Sequence, residues 1–330
     1  MRARCRHAAG FARLAGAALV FVLILALSAA GGSSQSARTI RLIVPFPAGG
    51  SADLVARMLA DEIGRTEPVS IVIENRPGAS AVLGTDAAAR AAPDGNTLVL
   101  SAPSLVINAH LHKVSYDPRL SFAPICRLVS SPQIIVVNAR SPYRTLADLL
   151  NAARAQPGAL SLASVGPGSN SHIAFELLKR AAKVDITYVP YPGNAPAITA
   201  LLGEHLTSAF IDYGSAFEQI TSGQLRALAA GSASRIDVLP DVPTLIELGL
   251  VHDSNDVWFG VLAPAKTPPD TLARLADWFQ AAVQAPGLRA KLLAQGLFPS
   301  AICGADFGAF IQRQYDEFGR VIAEAKIRVE

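Results

Sequence analysis

The sequence predicts an α/β fold in two lobes, each a mostly parallel sheet flanked by helices. Three observations carry that expectation. Apolar runs of strand length alternate with helical patterns along the chain, the pattern of strand–helix–strand units. Two of those runs end in glycine turns that open straight into a helix. Two further stretches, 122–138 and 257–263, are long and apolar enough to pass from one lobe to the other.

Taken in order, the run 40–46 stops at prolines and at Gly49–Gly50, and residues 52–65 then carry a helical period. Strands are expected next at 69–75 and 97–101, with a helix over 79–91 between them. The stretch 122–138 is broken at 130–132, which predicts two strands, 125–129 and 134–138. The middle of the chain repeats the alternation. Strands at 160–165, 186–191, 208–213 and 225–230 are interleaved with helices at 146–155, 171–182, 195–202 and 216–222. A return strand at 257–263 precedes helices at 269–284, 287–295 and 306–325. The first lobe is therefore 39–137 with 258–330 and the second is 138–257. A small ligand is expected in the cleft between them, beyond the carboxyl ends of the strands.

The first thirty residues belong to a different argument. Arg2, Arg4, Arg6 and Arg13 precede an uncharged apolar run, 14–29, and small residues follow at Ser28-Ala29-Ala30. That is the pattern of a secretory signal peptide over 1–30, which predicts export to the periplasm and cleavage. This segment holds four of the chain's 29 Lys and Arg and none of its 26 Asp and Glu. The formal charge of +3 thus becomes about −1 once it is set aside. With no basic run remaining, nucleic acid is excluded as a partner. Cys126 and Cys303 are the thiols left after Cys5. A disulfide between them is open, but their separation says nothing about proximity, and two independently buried thiols are the simpler expectation.

The chemistry concentrates at the two glycine turns. At the first, Gly49 and Gly50 allow close backbone approach, and the first amides of the following helix have no intrahelical acceptor. Such a helix start attracts an anion. Asp53, near the third helical position, either caps one of those amides or faces the ligand. The second turn, Gly166-Pro167-Gly168, leads through Ser169-Asn170-Ser171-His172 into a helix that Ser169 or Ser171 can cap. His172 reads first as a capping or packing residue, with a ligand contact as the alternative. Neither turn is a dinucleotide or phosphate-loop fingerprint, and the second is not an esterase elbow. His110 and His112 flank Leu111 without a third ligand in prospect, so no metal is predicted. No catalytic grouping, and no cofactor, is predicted.

With both turns in view, the chain resembles the Bug-type solute receptors of the tripartite tricarboxylate transporter family. The similarity runs through PFPAGGSAD, ENRPGAS, PDGNTL, GPGSNSHIAFE, YVPYPGNAPAITALLG, LPDVPTLIELG and WFGVLAPAKTP, in that order, and covers nearly everything after the leader. It implies a two-lobed periplasmic binding protein of the Venus-flytrap type, not an enzyme. Such a receptor captures a small organic carboxylate and delivers it to a membrane permease of the tripartite tricarboxylate type. The resemblance also implies that backbone amides and water grip the carboxylate. The loop Phe46, Pro47, Ala48, Gly49, Gly50 and Ser51 with Asp53 would do so from one side, and Gly166, Pro167, Gly168 and Ser169 with His172 from the other. Ser101, Ala102, Pro190, Tyr191 and Asp212 would line the walls. A ligand sensor that feeds a signalling partner, or a secreted α/β hydrolase, are the alternatives.

Departures from the family pattern fall outside the two loops. Pro192 stands where a basic or polar residue is often found, Ala81 and Glu204 where glycine is commoner, and Thr207 where an aspartate often follows. Since neither loop carries Arg or Lys, a ligand with one or two carboxylates is expected rather than a tricarboxylate.

Overall fold

In the computed structural model the described residues are 38–251 and 255–328, so the signal-peptide expectation lies outside them. The strands are β1 (Arg38–Val44), β2 (Val69–Asn75), β3 (Thr97–Ser101), β4 (Phe122–Ser131), β5 (Gln133–Asn138) and β6 (Ser161–Val165). They continue as β7 (Thr187–Tyr191), β8 (Ser208–Asp212), β9 (Leu225–Ala230), β10 (Val257–Pro264) and β11 (Phe298–Cys303). The helices are α1 (Ser51–Thr66), α2 (Val82–Ala89), α3 (Ser104–Leu111), α4 (Leu146–Ala155) and α5 (Asn170–Ala182). After these come α6 (Asn194–Leu202), α7 (Tyr213–Thr221), α8 (Pro269–Gln284), α9 (Pro286–Leu293) and α10 (Gly304–Ala325).

Two sheets form. One has six strands in the order β11-β4-β10-β3-β1-β2, the other five in the order β7-β6-β8-β5-β9. Both are mixed, which corrects the mostly parallel expectation. Strands joined through helices run parallel, as β1 with β3 and β6 with β7 and β8. The crossing strands do not. β10 is antiparallel to both β3 and β4, and β5 is antiparallel to both β8 and β9. A chain that leaves one sheet in β4 and returns in β10 lays the returning strand against the departing one, so the antiparallel pairs mark the crossings.

Helices cover both faces of each sheet, so the strands are apolar on both sides. On β1, Leu42 packs with Val55, Leu59 and Ile63 of α1, while Ile43 faces Val106 of α3 and Phe307 and Ile311 of α10. On β5, Ile135 and Val137 meet Leu149 of α4 and Phe175 of α5, while Ile134 and Val136 meet Ile198 of α6. Removing each large side chain from water stabilises the fold by about 1.5–3 kcal/mol. Helix α4 starts at a reciprocal cap, in which Thr145 Oγ1 accepts from the Asp148 N–H and Asp148 accepts from the Thr145 N–H.

Contacts also tie the two sheet systems together. Ile173 of α5 is buried in the same cluster as Phe307 and Ile311 of α10. At the start of α7, a Cβ on Gly214 would lie 2.7 Å from the Gln295 carbonyl oxygen, so only glycine allows the loop after α9 to approach so closely.

Cys126 and Cys303 form a disulfide, against the expectation of two separate thiols. They face each other in the β4–β11 ladder, with Cα atoms 4.0 Å apart. β11 is an edge strand, which explains how it carries Pro299, and its register with β4 shifts between Pro299 and Ile302.

The expected helix at 79–91 starts late. Ala79, Ser80 and Ala81 all take positive φ, at 46°, 54° and 79°, before α2 begins. The left-handed region costs a non-glycine residue about 1–2 kcal/mol. Asn108 Nδ2 holds the turn by donating to the Ser80 carbonyl oxygen at 2.6 Å. Glu204, just past α6, is likewise left-handed with φ 60°. Ala81 and Glu204 are the two positions at which the sequence resemblance leads to the expectation of glycine. Replacing Glu204 by glycine is expected to stabilise the protein by about 0.5–1 kcal/mol, because the relief of backbone strain exceeds the added freedom of the unfolded chain. The exposed Arg140–Glu204 ion pair lost with it contributes little. A higher urea midpoint at unchanged slope is the measurement that checks this.

Two half-buried titratable groups, Asp256 and Arg127, influence each other at the second crossing. Burial raises the Asp256 carboxyl to about 7, against the attraction of Arg127 on β4. Burial also lowers the Arg127 guanidinium, which lies 4.6 Å over the Phe310 ring. Asp256 Oδ1 and Arg127 Nε both lack a hydrogen-bond partner. In the pH range from about 4 to about 7 the folded protein keeps a proton that the unfolded chain releases, so this group makes stability fall as pH rises. The stability of Asp256→Asn relative to the wild type is therefore expected to rise by at least about 1 kcal/mol between pH 5 and pH 8. Denaturation curves at the two pH values decide the matter, and a pH-independent difference would refute it.

Candidate functional site

Five helices begin around one hollow. Its lining includes Gly50 and Ser51 at the start of α1, Pro103 and Ser104 at α3, and Ser169 and Asn170 at α5. Gly193 and Asn194 at α6, and Asp212 at α7, complete the ring. The hollow measures about 410 Å³, room for a small organic acid. Phe46, Ile107, Val257 and Phe259 give it apolar walls. A neighbouring hollow of about 440 Å³ shares Phe46, Pro47, Ser104, Gly168 and Ser169, and adds Gly166, Pro167 and Tyr191. Neither lining includes a lysine or arginine among the described residues, and His112 is the one basic-type side chain, at the second.

The helix starts differ in how much of their donor capacity is spent. Ser169 Oγ accepts from the His172 N–H at 3.1 Å, and Asp212 Oδ2 accepts from the Ser215 N–H at 3.2 Å, so α5 and α7 are capped. α1, α3 and α6 have no side-chain cap. In α1 the N–H groups before Leu54 have no acceptor in the protein, whereas in α3 those of Leu105 and Val106 already bond the carbonyl oxygens of Ala102 and Pro103.

Asp53 works on the loop before α1. Its Oδ2 accepts from the Gly49 N–H and from Arg57 Nε, each at 2.9 Å, and its Oδ1 accepts from Asn75 Nδ2 at 2.9 Å. Asn75 Nδ2 also reaches the Phe46 carbonyl oxygen at 3.2 Å. The Arg57 bond, with those from Gly49 and Asn75, outweighs burial and lowers the carboxyl to about 2. Asp53 is therefore an anion whose oxygens are spent on fixing residues 46–50, and it lines neither hollow.

The second loop is fixed in the same manner. Gly168, with φ 76°, donates its N–H to His172 Nδ1 at 3.1 Å, so the neutral ring carries its proton on Nε2. The His172 ring stacks on Tyr188 with centroids 4.3 Å apart, and burial lowers its pKa. Ser169 Oγ donates to the Val165 carbonyl oxygen at 2.7 Å, and the Gly166 N–H bonds the Tyr191 carbonyl oxygen at 2.9 Å. His172 thus holds the turn without lining either hollow.

The remaining wall residues divide. Ala102 and Asp212 line the first hollow and Tyr191 the second, while Ala48, Gly49, Ser101 and Pro190 line neither. Half-buried Asp212 accepts from Asn194 Nδ2 on Oδ1, and from Ser215 Oγ at 2.7 Å on Oδ2. Burial raises its pKa, against the Ser215 bonds that lower it. Sequence reasoning did not single out Ser104, Ile107, Gln133, Asn194, Val257 or Phe259. Only Asn194 carried a signal, since it directly follows Gly193 at a strand-to-helix turn. His110, considered for a metal, bonds the Tyr315 carbonyl oxygen through Nε2 at 2.8 Å and packs on that ring.

Two α/β sheet systems with helix starts gathered at a ligand-sized hollow define the class of periplasmic binding proteins. The family model described as "Tripartite tricarboxylate transporter family receptor" matches residues 55–327. The chain belongs to that family, whose members are solute-binding receptors rather than a class of enzymes. It is 33% identical over 297 residues to the protein BugT of Bordetella pertussis, covering 89% of this chain and 91% of that one. Among solved structures it resembles the periplasmic binding protein BugD, with 30% identity and a TM-score of 0.76 over 89% of this chain and 99% of that chain. It also resembles Rpa4515 of R. palustris with adipate, at 28% identity and a TM-score of 0.78 over 88% and 98% of the two chains. Membership of a periplasmic-receptor family implies a periplasmic protein.

Proposed function

We propose that the chain is a receptor that captures a small organic carboxylate between its two lobes, 39–137 with 258–330 and 138–257. It delivers that ligand to a membrane permease of the tripartite tricarboxylate type. Residues 1–30 direct its export and are then removed. One observation carries this reading: the uncapped starts of α1, α3 and α6 share a single hollow. Each hydrogen bond from such an N–H to a charged carboxylate contributes about 1.5–3 kcal/mol, and no basic side chain is needed. The adipate-bound relative supports the ligand class. Asp53 and His172 preorganise the two loops, which lowers the cost of ordering them on binding. The chain performs no chemistry on the ligand.

Thermal-shift screening of mono-, di- and tricarboxylates tests the reading. Ligands that bind only the folded state raise the melting temperature with concentration. Mono- or dicarboxylates are expected to do so and their methyl esters are not. Equal shifts from acids and esters would remove the carboxylate from the account.

A further inference from the structure

The two loops at the hollow are held by side chains of different acid–base character. On the first loop Asp53 Oδ2 accepts from the Gly49 N–H, and its carboxyl, lowered to about 2, stays an anion in mild acid. On the second loop the Gly168 N–H donates to His172 Nδ1 at 3.1 Å. A ring nitrogen accepts such a bond only while it carries no proton. The first latch is therefore insensitive to mild acid and the second is not.

The surroundings of His172 leave the ring little room to adjust. It stacks on Tyr188 of β7, with centroids 4.3 Å apart and planes 24° from parallel. The Tyr188 hydroxyl donates to the Val165 carbonyl oxygen at 3.0 Å, the same oxygen that Ser169 Oγ reaches at 2.7 Å. The His172 N–H is itself bonded to Ser169 Oγ, which fixes the residue at the start of α5. Turning the ring over would put a carbon in place of Nδ1 and leave the Gly168 N–H without its acceptor. A proton on Nδ1 would set two N–H groups against each other, so the turn has to move. Gly168 and Ser169 line both hollows, and a shift of the turn is felt there.

Charged neighbours act on the ring in opposite senses. Glu176 favours its proton and Lys179 opposes it; both lie on α5 and pair with each other at 3.5 Å. From β7 the facing group is Tyr188, whose phenol burial raises further, so it stays neutral. Burial is the largest influence on His172 and lowers it from the ordinary 6.5. The ring is thus neutral at neutral pH and takes up its proton in mild acid.

We propose that His172 is a pH-dependent positioning residue: its neutral ring latches the turn 166–169, and protonation of Nδ1 releases that turn and weakens capture. What is captured rests on the carboxylate reading above, whereas the latch itself can be read without a ligand.

The test begins with nuclear magnetic resonance on the whole exported chain without ligand, from about pH 8 to about pH 4.5. The His172 ring and the Gly168 and Gly49 amides are followed together. As the ring gains its proton, the exchange protection of the Gly168 amide, corrected for its intrinsic rate, is expected to fall about 3- to 10-fold. That of Gly49 should stay within about twofold. His172→Asn offers an amide oxygen near the Nδ1 position, which accepts the same bond and takes up no proton, so the fall at Gly168 should vanish. Butyrate, succinate and adipate then serve as binding probes. For whichever binds, the ratio of wild-type to His172→Asn affinity is expected to drop about 3- to 10-fold between pH 8 and pH 5, since the acid's own protonation cancels in that ratio. A ring that titrates with no change at Gly168, a ring that takes up no proton in this range, or a constant affinity ratio overturns the inference and leaves the carboxylate reading in place. If none of the three acids binds at either pH, the carboxylate reading falls, and the Gly168 amide of the wild type still decides whether His172 is a latch.

Discussion

Without the Cys126–Cys303 disulfide the protein is expected to lose about 3–5 kcal/mol of stability. The two cysteines are 177 positions apart, so the link closes a long loop in the unfolded chain and removes many of its conformations. The folded state depends on the link for a second reason. β11 pairs on one side only, with β4, and that pairing is interrupted between Pro299 and Ile302. Cys126 is fully buried in the cluster formed with Leu275 and Phe279 of α8, so the double substitution Cys126→Ala, Cys303→Ala keeps apolar atoms there. Urea unfolding of this variant should show a midpoint well below that of the oxidised wild type, and the wild type in reductant should fall to a similar value. A loss under about 1 kcal/mol would mean that β11 and the chain ends are already restrained when unfolded.

The order of strands and helices was legible because it rests on periodicity, and periodicity survives tertiary context when both faces of a sheet are covered. β11 was not legible. It holds Pro299 and Ser300, which argue against a strand everywhere except at a sheet edge, and edge position is a property of the whole fold. α3 was hidden because it is short and the polar residues of SLVINAHL, Ser104, Asn108 and His110, are not gathered on one face to give a period. The direction of the crossing strands depends on where the chain returns, which local pattern does not record.

The site divides along the same line. The glycine turns before α1 and α5 could be read because they are local: a strand, a tight turn and a helix start lie within about ten residues. That Asp53 and His172 serve the loops rather than the hollow could not be read. It depends on Arg57 and Asn75 in one case and on Tyr188 in the other, and Asn75 and Tyr188 lie on other strands. Gln133 and Asn170 are the clearest examples. As sequence they are ordinary polar residues, and only the burial of their unpaired oxygens at a shared hollow gives them meaning.

Deleting a single backbone N–H at the start of α1 is expected to weaken binding by about 10- to 100-fold while leaving the fold intact. Ser51 is the first residue of α1, a position where proline is well tolerated because its missing donor has no intrahelical partner. Gly50 before it has φ −81° and ψ 171°, within the extended region that a residue preceding proline prefers. Ser51→Pro should therefore change stability by less than about 1 kcal/mol. It removes one N–H that a bound carboxylate would use, worth about 1.5–3 kcal/mol. Ser51→Ala, which retains the N–H and loses the hydroxyl, separates the two groups and should cost less than about fivefold. The measurement is the dissociation constant of the tightest acid from the carboxylate screen, alongside the unliganded melting temperature of each variant. Equal affinity of Ser51→Pro and wild type would show that the α1 start does not hold the ligand, and the hollow's anion pole would then have to be sought at α3 and α6.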